Sequence, residues 1–433
     1  MTLVEIGYFA MAAMLALILL GVPIGWAMGL VSLAGEIYLT GFTPAAAKLS
    51  LTFWENGSLY VFIALPLFLL MGQLAYRTGI TEDLFDCFHK WLGHMPGGLA
   101  VASVVSNAAY GAVTGNSVAS VATMGPMVMP QFRKYGYNLS LATGTLASAG
   151  TLAVLVPPST LMVIYGVWTE TSIADLFIAG IVPCVVLTIT YCVALAIACQ
   201  IKPGLGPKGP KYSWGARIRS LSRLAPTVAI IGIVLGGIYG GLMTPSESAA
   251  VGVFGVLAIA AAMRRLTWGA ISKSLKDAVR TSGMVFVIVV TGVTFSRFLM
   301  HTHVTENAIA VINGWGLGST TLMLALFVLY FLLGAALDAL GMMILTLPFV
   351  MPLIIHLGVD KVWFGIFLGV MMELAAVSPP VGITVAVMRS VAPDVSTSAI
   401  FRGCYPFLAL TILLAALLIA WPQLALWMPA QMR

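Results

Sequence analysis

Long apolar runs, interrupted by short polar segments, extend along the chain from one end to the other. The first run covers Ile6 to Leu20 and is followed, after Pro23, by a second run that ends near Leu39. A helix that crosses a bilayer needs about 20 apolar residues. These runs are continuous and lack the alternation of apolar and polar residues that is typical of transmembrane barrel strands. The pattern predicts an all-α polytopic membrane protein.

Landmark residues recur at an almost constant offset, which indicates two copies of one unit. Pro23 matches Pro245 at a shift of 222 residues (245 − 23 = 222). The same shift aligns three further pairs, which are Asn116 with Asp338, Pro130 with Pro352, and Pro157-Pro158 with Pro379-Pro380. The two halves are therefore predicted to fold into the same series of helices.

Each copy is predicted to contain three spans, an interfacial helix, two hairpin arms, a broken helix and a last span. The arms are too short to be confident spans, so we predict a re-entrant hairpin. In the first copy these elements are 4–20, 22–40, 58–78, 81–94, 97–112 with 117–132, 139–169 and 174–200. In the second copy they are 223–241, 246–263, 281–300, 304–314, 318–334 with 338–356, 362–391 and 399–427.

The number of crossings determines how the copies are oriented. A re-entrant hairpin does not cross the membrane, so each copy crosses an odd number of times and the second copy must be inverted, as in many secondary transporters. If the basic loop 202–223 is cytoplasmic, both termini are outside. Of the 21 Lys and Arg residues, 17 (21 − 4) then lie inside, as the positive-inside rule requires. The four outside are Lys48, Arg297, Lys361 and Arg433.

Composition supports a membrane location and excludes several classes of function. Only 8% of the residues are charged, against roughly a quarter in soluble proteins, so most of the surface faces lipid. The five cysteines show no CxxC or metal-like spacing, and no P-loop motif occurs. Basic residues such as Arg133-Lys134 are interpreted as topology signals or lipid head-group contacts rather than nucleic-acid sites. We expect no cofactor and no direct use of ATP.

The candidate chemistry lies at the hairpin tips and at the Pro-Pro breaks. The first tip is 111–117 and the second is 334–341. Proline lacks the N–H that a continuous helix needs, so each break frees backbone carbonyl groups. Helix N-termini favour an anionic carboxylate, whereas freed carbonyls and hydroxyls suit a cation such as sodium.

Asp338 and Glu373 are the only carboxylates that we place deep in the membrane. An acid at mid-membrane costs about 3 kcal/mol by insertion scales, so a functional or buried hydrogen-bonding role is expected. Capping of a hairpin helix by Asp338 is the structural alternative. His301 and His303 have no third ligand nearby and are interpreted as interfacial rather than metal-binding.

Specific motifs resemble those of the large M subunit of tripartite ATP-independent periplasmic (TRAP) transporters. They are Ala109 to Ser117 with Gly125-Pro126, Val156-Pro157-Pro158-Ser159, Pro66-Leu67-Phe68 with Gly72, and Ser378-Pro379-Pro380-Val381-Gly382. The resemblance covers essentially the whole chain. It implies a sodium-coupled importer of small carboxylates, such as a C4-dicarboxylate or sialic acid, in the bacterial inner membrane. The charge distribution given above places both termini on the periplasmic side of that membrane.

The resemblance also implies partners and an elevator mechanism. A separate four-helix Q subunit and a periplasmic substrate-binding protein are expected, besides membrane lipids. The implied scaffold segments are 1–80 and 223–303, and the implied transport segments are 81–172 and 304–394. The last helices lie in 173–222, with the basic loop, and in 395–433.

Carried over by position, sodium and substrate would lie among residues of both copies. In the first copy these are Thr114, Gly115, Asn116, Ser117, Thr151, Pro157, Pro158 and Ser159. In the second copy they are Gly334, Asp338, Gly341, Ser378, Pro379, Pro380, Gly382 and Thr384. The second break has Val381 where the first has Ser159, so two ion sites would not be equivalent.

Three rival functions remain open from the sequence. A stand-alone sodium–anion symporter or cation antiporter would work without a binding protein. An intramembrane enzyme is disfavoured, because Asp338 has no facing Asp and no HExxH motif occurs. A channel would show conductance far above the saturable flux of an elevator.

Overall fold

Helices occupy most of the chain, and glycine, proline and short polar segments mark many of their ends. The computed structural model describes residues 1–81, 83–316, 318–335 and 337–432, and contains no strand in these ranges. The first-copy helices are α1 (Leu3–Leu19), α2 (Ile24–Thr40), α3 (Phe42–Gly57), α4 (Ala64–Arg77), α5 (Asp83–Leu92), α6 (Gly98–Thr114), α7 (Ser117–Lys134), α8 (Leu139–Thr151), α9 (Thr160–Thr169) and α10 (Ile173–Ile201). The second-copy helices are α11 (Trp214–Tyr239), α12 (Pro245–Ala262), α13 (Trp268–His301), α14 (Val304–Gly314), α15 (Ser319–Gly334), α16 (Ala339–His356), α17 (Lys361–Val377), α18 (Ile383–Val391), α19 (Thr397–Ala420) and α20 (Gln423–Met432).

The described helices confirm an all-α membrane fold. Six of them are long and apolar enough to cross a membrane, namely α10, α11, α12, α13, α16 and α19. Several shorter apolar helices accompany them, among them α1, α2 and α6. The short arms of the first hairpin and the interrupted helices therefore appear as separate short elements, as the sequence predicts.

Several helix boundaries differ from the predicted ones. The helix α3 was not predicted, because Lys48 and Glu55 interrupt its apolar pattern. The helix α13 begins at Trp268 instead of 281, since its first turns carry Lys273, Lys276 and Arg280 and lack an apolar run. Similarly, α11 begins at Trp214 within the basic segment.

The predicted last span 399–427 is also divided. The helix α19 ends at Ala420, and Trp421-Pro422 separates it from α20. Pro422 lacks the backbone N–H that a continuous helix would use here. Arg433, one of the four basic residues predicted to lie outside, is not among the described residues.

The two copies pack on each other reciprocally. In the first copy, α2 packs on α13, α5 on α11 and α8 on α19; in the second, α12 packs on α4, α14 on α1 and α17 on α10. Each contact in the first set has its equivalent in the second set. For example, α2 and α4 of the first copy correspond to α12 and α13 of the second, so the contact of α2 with α13 corresponds to that of α12 with α4. Such reciprocity is what two intertwined copies of one unit produce, and it matches the repeat seen in the sequence.

The helices form two packed groups. The first contains α2, α4, α12 and α13, in which α13 packs on α2 and α4, and α4 packs on α12. The second contains the hairpin helices α6, α7, α15 and α16, the broken helices, and the last helices α10 and α19. The groups meet where α4 contacts α6 and where α13 contacts α16 and α9.

Candidate functional site

The first break interrupts a helix inside the second group. The helix α8 ends at Thr151, a 3-10 turn follows over Leu152–Val154, and α9 begins after Ser159. Ser159 caps α9, because its hydroxyl accepts a hydrogen bond from the backbone N–H of Met162 at 3.4 Å. The Pro157-Pro158 peptide bond is cis, as is that of Pro379-Pro380.

The tip of the first hairpin rests directly on this break. Gly115 ends α6 in the left-handed conformation (φ +58°), and a Cβ placed there would lie 2.4 Å from the carbonyl oxygen of Pro158. The N–H of Thr160 points to the carbonyl oxygen of Gly115 at 3.4 Å. Only glycine satisfies both the positive φ and this close backbone approach. The next residue, Asn116, caps α7 by accepting from the N–H of Ala119 at 3.0 Å.

The second tip is built differently. The helix α15 ends at Gly334, where an added Cβ would lie 2.6 Å from the Cβ of Ala375 in α17. Asp338 caps α16, and its Oδ2 accepts from the N–H of Gly341 at 3.4 Å. The predicted structural role of Asp338 as a cap is therefore present. Ala336, within the predicted tip, lies outside the described residues.

The second break has no serine cap. Gly382 precedes α18 with φ +51°, and the exposed Val381 occupies the place of the buried Ser159. The hydroxyl of Ser378 donates to the carbonyl of Leu374 at 2.6 Å, and that of Thr384 donates to the carbonyl of Ala376 at 2.8 Å. The two breaks therefore differ in their hydrogen bonding as well as in their sequence.

Both tips and the start of each helix after a break meet at one cavity of about 210 Å³. Its wall consists of Leu69, Gly115, Asn116, Ser117, Val118, Thr160, Leu161, Ile164, Thr281, Met284, Val285, Asp338, Ala339, Leu340, Ala376, Ile383 and Thr384. The N-terminal ends of α7, α9, α16 and α18 all contribute to this wall. Within this lining, Asp338 is the one charged side chain.

This arrangement suits an anion and a cation together. The backbone N–H groups in the first turn of a helix lack intrahelical partners and carry partial positive charge, which favours a carboxylate. The Asp338 carboxylate, with hydroxyl and carbonyl oxygens around the cavity, provides the hard oxygen ligands that a small cation prefers. A cavity of this volume accommodates a small ligand rather than a large one.

The predicted site residues fall into three sets. Those in the cavity wall are Gly115, Asn116, Ser117, Asp338 and Thr384. Those that support the tips from behind are Thr114, whose carbonyl faces Gly72, together with Pro158, Ser159 and Gly334. Those outside the wall are Thr151, Pro157, Gly341, Ser378, Pro379, Pro380 and Gly382.

Besides Ser378, two more of the residues outside the wall have contacts elsewhere. The hydroxyl of Thr151 donates to the carbonyl of Ser148 at 2.8 Å. Gly341 faces a different groove, which it shares with Pro23, Ile24 and Asp338.

Sequence reasoning missed the part of the wall that comes from the first group of helices. Thr281, Met284 and Val285 belong to α13, and Leu69 belongs to α4. These residues carry no motif, because they lie on ordinary apolar helices, so only the packing of the two groups identifies them.

A polar cluster on the first group was also missed. The buried Glu36 accepts from Lys48 Nζ at 2.7 Å and lies 3.2 Å from His301 Nδ1. His301 is therefore engaged with a carboxylate that the sequence did not associate with it. Among the described residues, no group of three His, Cys, Asp or Glu could hold a metal ion.

Comparison with known proteins places the chain among membrane transporters. Residues 11–424 match the family model "Tripartite ATP-independent periplasmic transporter, DctM component". The C4-dicarboxylate TRAP transporter large permease protein of Pseudomonas aeruginosa is 28% identical, covering 92% of this chain and 93% of that protein. The ectoine TRAP transporter large permease protein of Halomonas elongata is 30% identical, covering 96% and 97%.

A fused relative and a solved structure add to this. The isethionate TRAP transporter permease protein DctMQ of Oleidesulfovibrio alaskensis is 31% identical over 95% of this chain but only 64% of its own length. The crystal structure of the YdaH transporter of Alcanivorax borkumensis has a TM-score of 0.62 at 12% identity, covering 90% of this chain and 89% of that one. At this sequence identity, the similarity to the YdaH transporter concerns the fold alone.

Proposed function

This chain belongs to the DctM component family of tripartite ATP-independent periplasmic transporters, and we propose that it is the membrane subunit through which sodium drives the import of a small carboxylate. Membership makes it the large permease subunit of a secondary transporter in the inner membrane, and not an enzyme. Sodium coupling and the carboxylate are the proposal. C4-dicarboxylates and sialic acid, named for relatives, are examples of this substrate class.

The observation that carries the proposal is the meeting of both hairpin tips at one cavity. Four helix N-termini and one carboxylate share its wall, which suits an anionic substrate beside a coupling cation. Because Asn116 of one copy and Asp338 of the other occupy equivalent caps, one tip is neutral and the other is negative. We assign the cation to the side of Asp338 and the carboxylate to the N-termini.

The position of the cavity supports an elevator motion. Its wall combines tips and breaks with Leu69 of α4 and three residues of α13. We propose that segments 1–80 and 223–303 form the scaffold, and that 81–172 and 304–394 form the transport domain. Sliding of one against the other would expose the cavity alternately to either side, as in transporters built from inverted repeats.

Partners and orientation complete the proposal. This chain matches 64% of the length of the relative named DctMQ, so that relative contains a further segment. This supports a small Q subunit as the partner here. We expect that subunit to be a separate four-helix chain, and a periplasmic binding protein to deliver the substrate. The distribution of basic residues supports cytoplasmic placement of the 202–223 loop and periplasmic termini.

The test is uptake into proteoliposomes that contain this chain and its Q partner, with the cognate binding protein outside. We expect flux only when an inward sodium gradient and the binding protein are both present. Flux that needs sodium but ignores the binding protein would contradict the tripartite part and indicate a stand-alone symporter. Flux that ignores the sodium gradient would contradict the coupling.

A further inference from the structure

Glu373 lies in the interior of the second helix group, away from the wall of the cavity. It belongs to α17, and its side chain is 1% exposed. Ala376, less than one turn further along the same helix, lines the cavity, but Glu373 does not. The carboxyl group is therefore separate from the site described above, although both are carried by one helix.

No group in the described part of the chain satisfies this carboxyl. Neither Oε1 nor Oε2 has a hydrogen-bond partner, and no ion pair involves Glu373. The other buried carboxylate, Glu36, differs because Lys48 and His301 lie at hydrogen-bonding distance. An ionised carboxylate buried without a partner is strongly disfavoured, and such a group takes up a proton instead.

The surrounding helices contribute neutral groups only. Glu373 interacts electrostatically with Cys184 and Tyr191 of α10. The hydroxyl of Tyr191 is 2.6 Å from that of Thr411 in α19. The other titratable side chains buried in described helices packed on α17 are Cys404 of α19, Tyr330 of α15, Tyr165 of α9 and, near the far end of α10, Cys199.

The cationic residues of the neighbouring helices lie elsewhere. Arg389 of α18 donates to the carbonyls of Pro393 and Val395, and Arg402 of α19 donates to that of Ser398. The buried hydroxyl of Ser148 in α8, which has no hydrogen-bond partner of its own, is close to Cys404. Lys361, at the start of α17 itself, donates to the carbonyl of Thr169 at 3.2 Å. Among the described residues, therefore, no cationic side chain pairs with Glu373.

We propose that Glu373 is a proton-binding site inside the transport domain, so that the protein holds a bound proton in addition to the ions and substrate at the cavity. A sodium ion is less suited to this position, because the Cys184 thiol that interacts with Glu373 is a soft group and sodium prefers several hard oxygens. Loss of the proton would leave a charge near the C-terminal end of α17, close to Ala376 in the cavity wall. We therefore infer that transport requires the protonated state.

Only the effect of the proton on transport rests on the proposed function; the binding of the proton does not. The proton itself can be observed by infrared spectroscopy of the complex in lipid vesicles, without any substrate. We expect a carbonyl stretching band of a protonated carboxyl at neutral pH, which shifts in D₂O and is lost in Glu373→Gln. Absence of a band that depends on Glu373 would overturn the proposal. Loss of that band on addition of sodium at constant pH would overturn it in favour of a cation site.

Sodium-driven uptake measured at increasing pH tests the consequence. Wild-type uptake is expected to fall at alkaline pH, at least severalfold more than in Glu373→Gln, which keeps a neutral side chain of the same shape. Glu373→Met serves as a second neutral variant, whose apolar side chain would be tolerated only if the carboxyl binds no metal ion. Equal alkaline losses in the wild type and in these variants would contradict the role in transport. Failure of uptake under all conditions would count against the proposed function, whereas the infrared band would still report on the proton.

Discussion

Gly115 and Asp338 show how single residues shape the cavity. Gly115 allows the first tip to touch the first break, because its backbone has φ +58° and an added Cβ would collide with Pro158. Asp338 combines two roles, since the carboxylate caps α16 and also lies in the cavity wall. Substitution of Gly115 therefore tests the packing of the tip against the break, whereas substitution of Asp338 tests the charge in the cavity wall.

Replacement of Gly115 by alanine should damage transport more than a comparable change elsewhere. A left-handed alanine costs about 1 kcal/mol wherever it occurs, and at Gly115 the clash with the Pro158 carbonyl is added. We expect Gly115→Ala to lower uptake at least about tenfold, equivalent to about 1.4 kcal/mol. Gly136→Ala is the matched control, because Gly136 has φ +69° and nothing within 4 Å of an added Cβ. Equal uptake in both variants would show that the contact between tip and break is unimportant.

Replacement of Asp338 by asparagine should separate the cap from the charge. Asparagine is as good an N-cap as aspartate, so Asp338→Asn should keep the melting temperature while raising the sodium concentration for half-maximal uptake about tenfold or more. Asp338→Ala should lose both the cap, at about 1 kcal/mol, and the sodium response. An unchanged sodium dependence in Asp338→Asn would mean that Asp338 is only a cap.

At the scale of elements, the Pro-Pro breaks are the features that distinguish α8–α9 and α17–α18 from ordinary spans. Each break ends one helix and begins another at the cavity. Proline prevents continuation because it lacks an N–H and its ring clashes with the preceding turn. A change that permits a continuous helix should therefore affect ion binding before it affects folding.

Substitution of Pro157-Pro158 by Ala-Ala is the corresponding test. Alanine favours a continuous helix by about 3 kcal/mol per proline removed, which should withdraw the start of α9 from the cavity. We expect weaker sodium coupling, measured as a smaller ratio of uptake with and without the sodium gradient. An unchanged ratio in a folded variant would contradict the role of the first break.

An ion pair joins two elements of the second group at the end predicted to be cytoplasmic. Arg133 at the end of α7 donates to Asp394 Oδ1 at 2.6 Å, in the loop between α18 and α19. This hydrogen bond lowers the pKa of the Asp394 carboxyl. A carboxyl with a lowered pKa stabilises the fold above its unfolded value of about 3.9, and this contribution is lost as the pH falls below it.

The prediction for this pair concerns the pH dependence of stability. Arg133→Gln should lower the melting temperature slightly at neutral pH, and the difference from the wild type should disappear as the pH falls below about 3.9. Arg402→Gln is the control, because that exposed arginine forms no ion pair in the described ranges. A difference that persists unchanged at low pH would show that the pair does not act through Asp394.

Much of the element order could be predicted from the sequence, because apolar runs and prolines determine it locally. The hairpin tips, the breaks and the last helix of the first copy lie close to their predicted positions. The predicted helix boundaries were wrong where charged residues lie inside helices, as in α3 and the first turns of α13. The wall contributed by α13 could not be predicted, since Met284 and Val285 resemble any lipid-facing residues until the packing is known.

At the scale of the whole molecule, two copies pack reciprocally and their tips meet at a boundary between two helix groups. The contact of α2 with α13 has its counterpart in that of α12 with α4. If one group moves relative to the other, the cavity moves with the tips while Met284 and Leu69 stay with the scaffold. The central claim is therefore that transport requires movement between tip and scaffold across this cavity.

The most direct measurement is uptake after cross-linking across the cavity. Met284→Cys on α13 and Leu340→Cys on α16, which both line the cavity, are joined by a short reducible bifunctional thiol reagent in a chain whose native cysteines are replaced. The control pair is Phe62→Cys with Phe286→Cys, whose native rings lie 5.7 Å apart within the predicted scaffold. We predict that cross-linking the first pair abolishes sodium-driven uptake and that reduction restores it, while the control pair keeps its uptake. Full uptake with the first pair cross-linked would contradict the account.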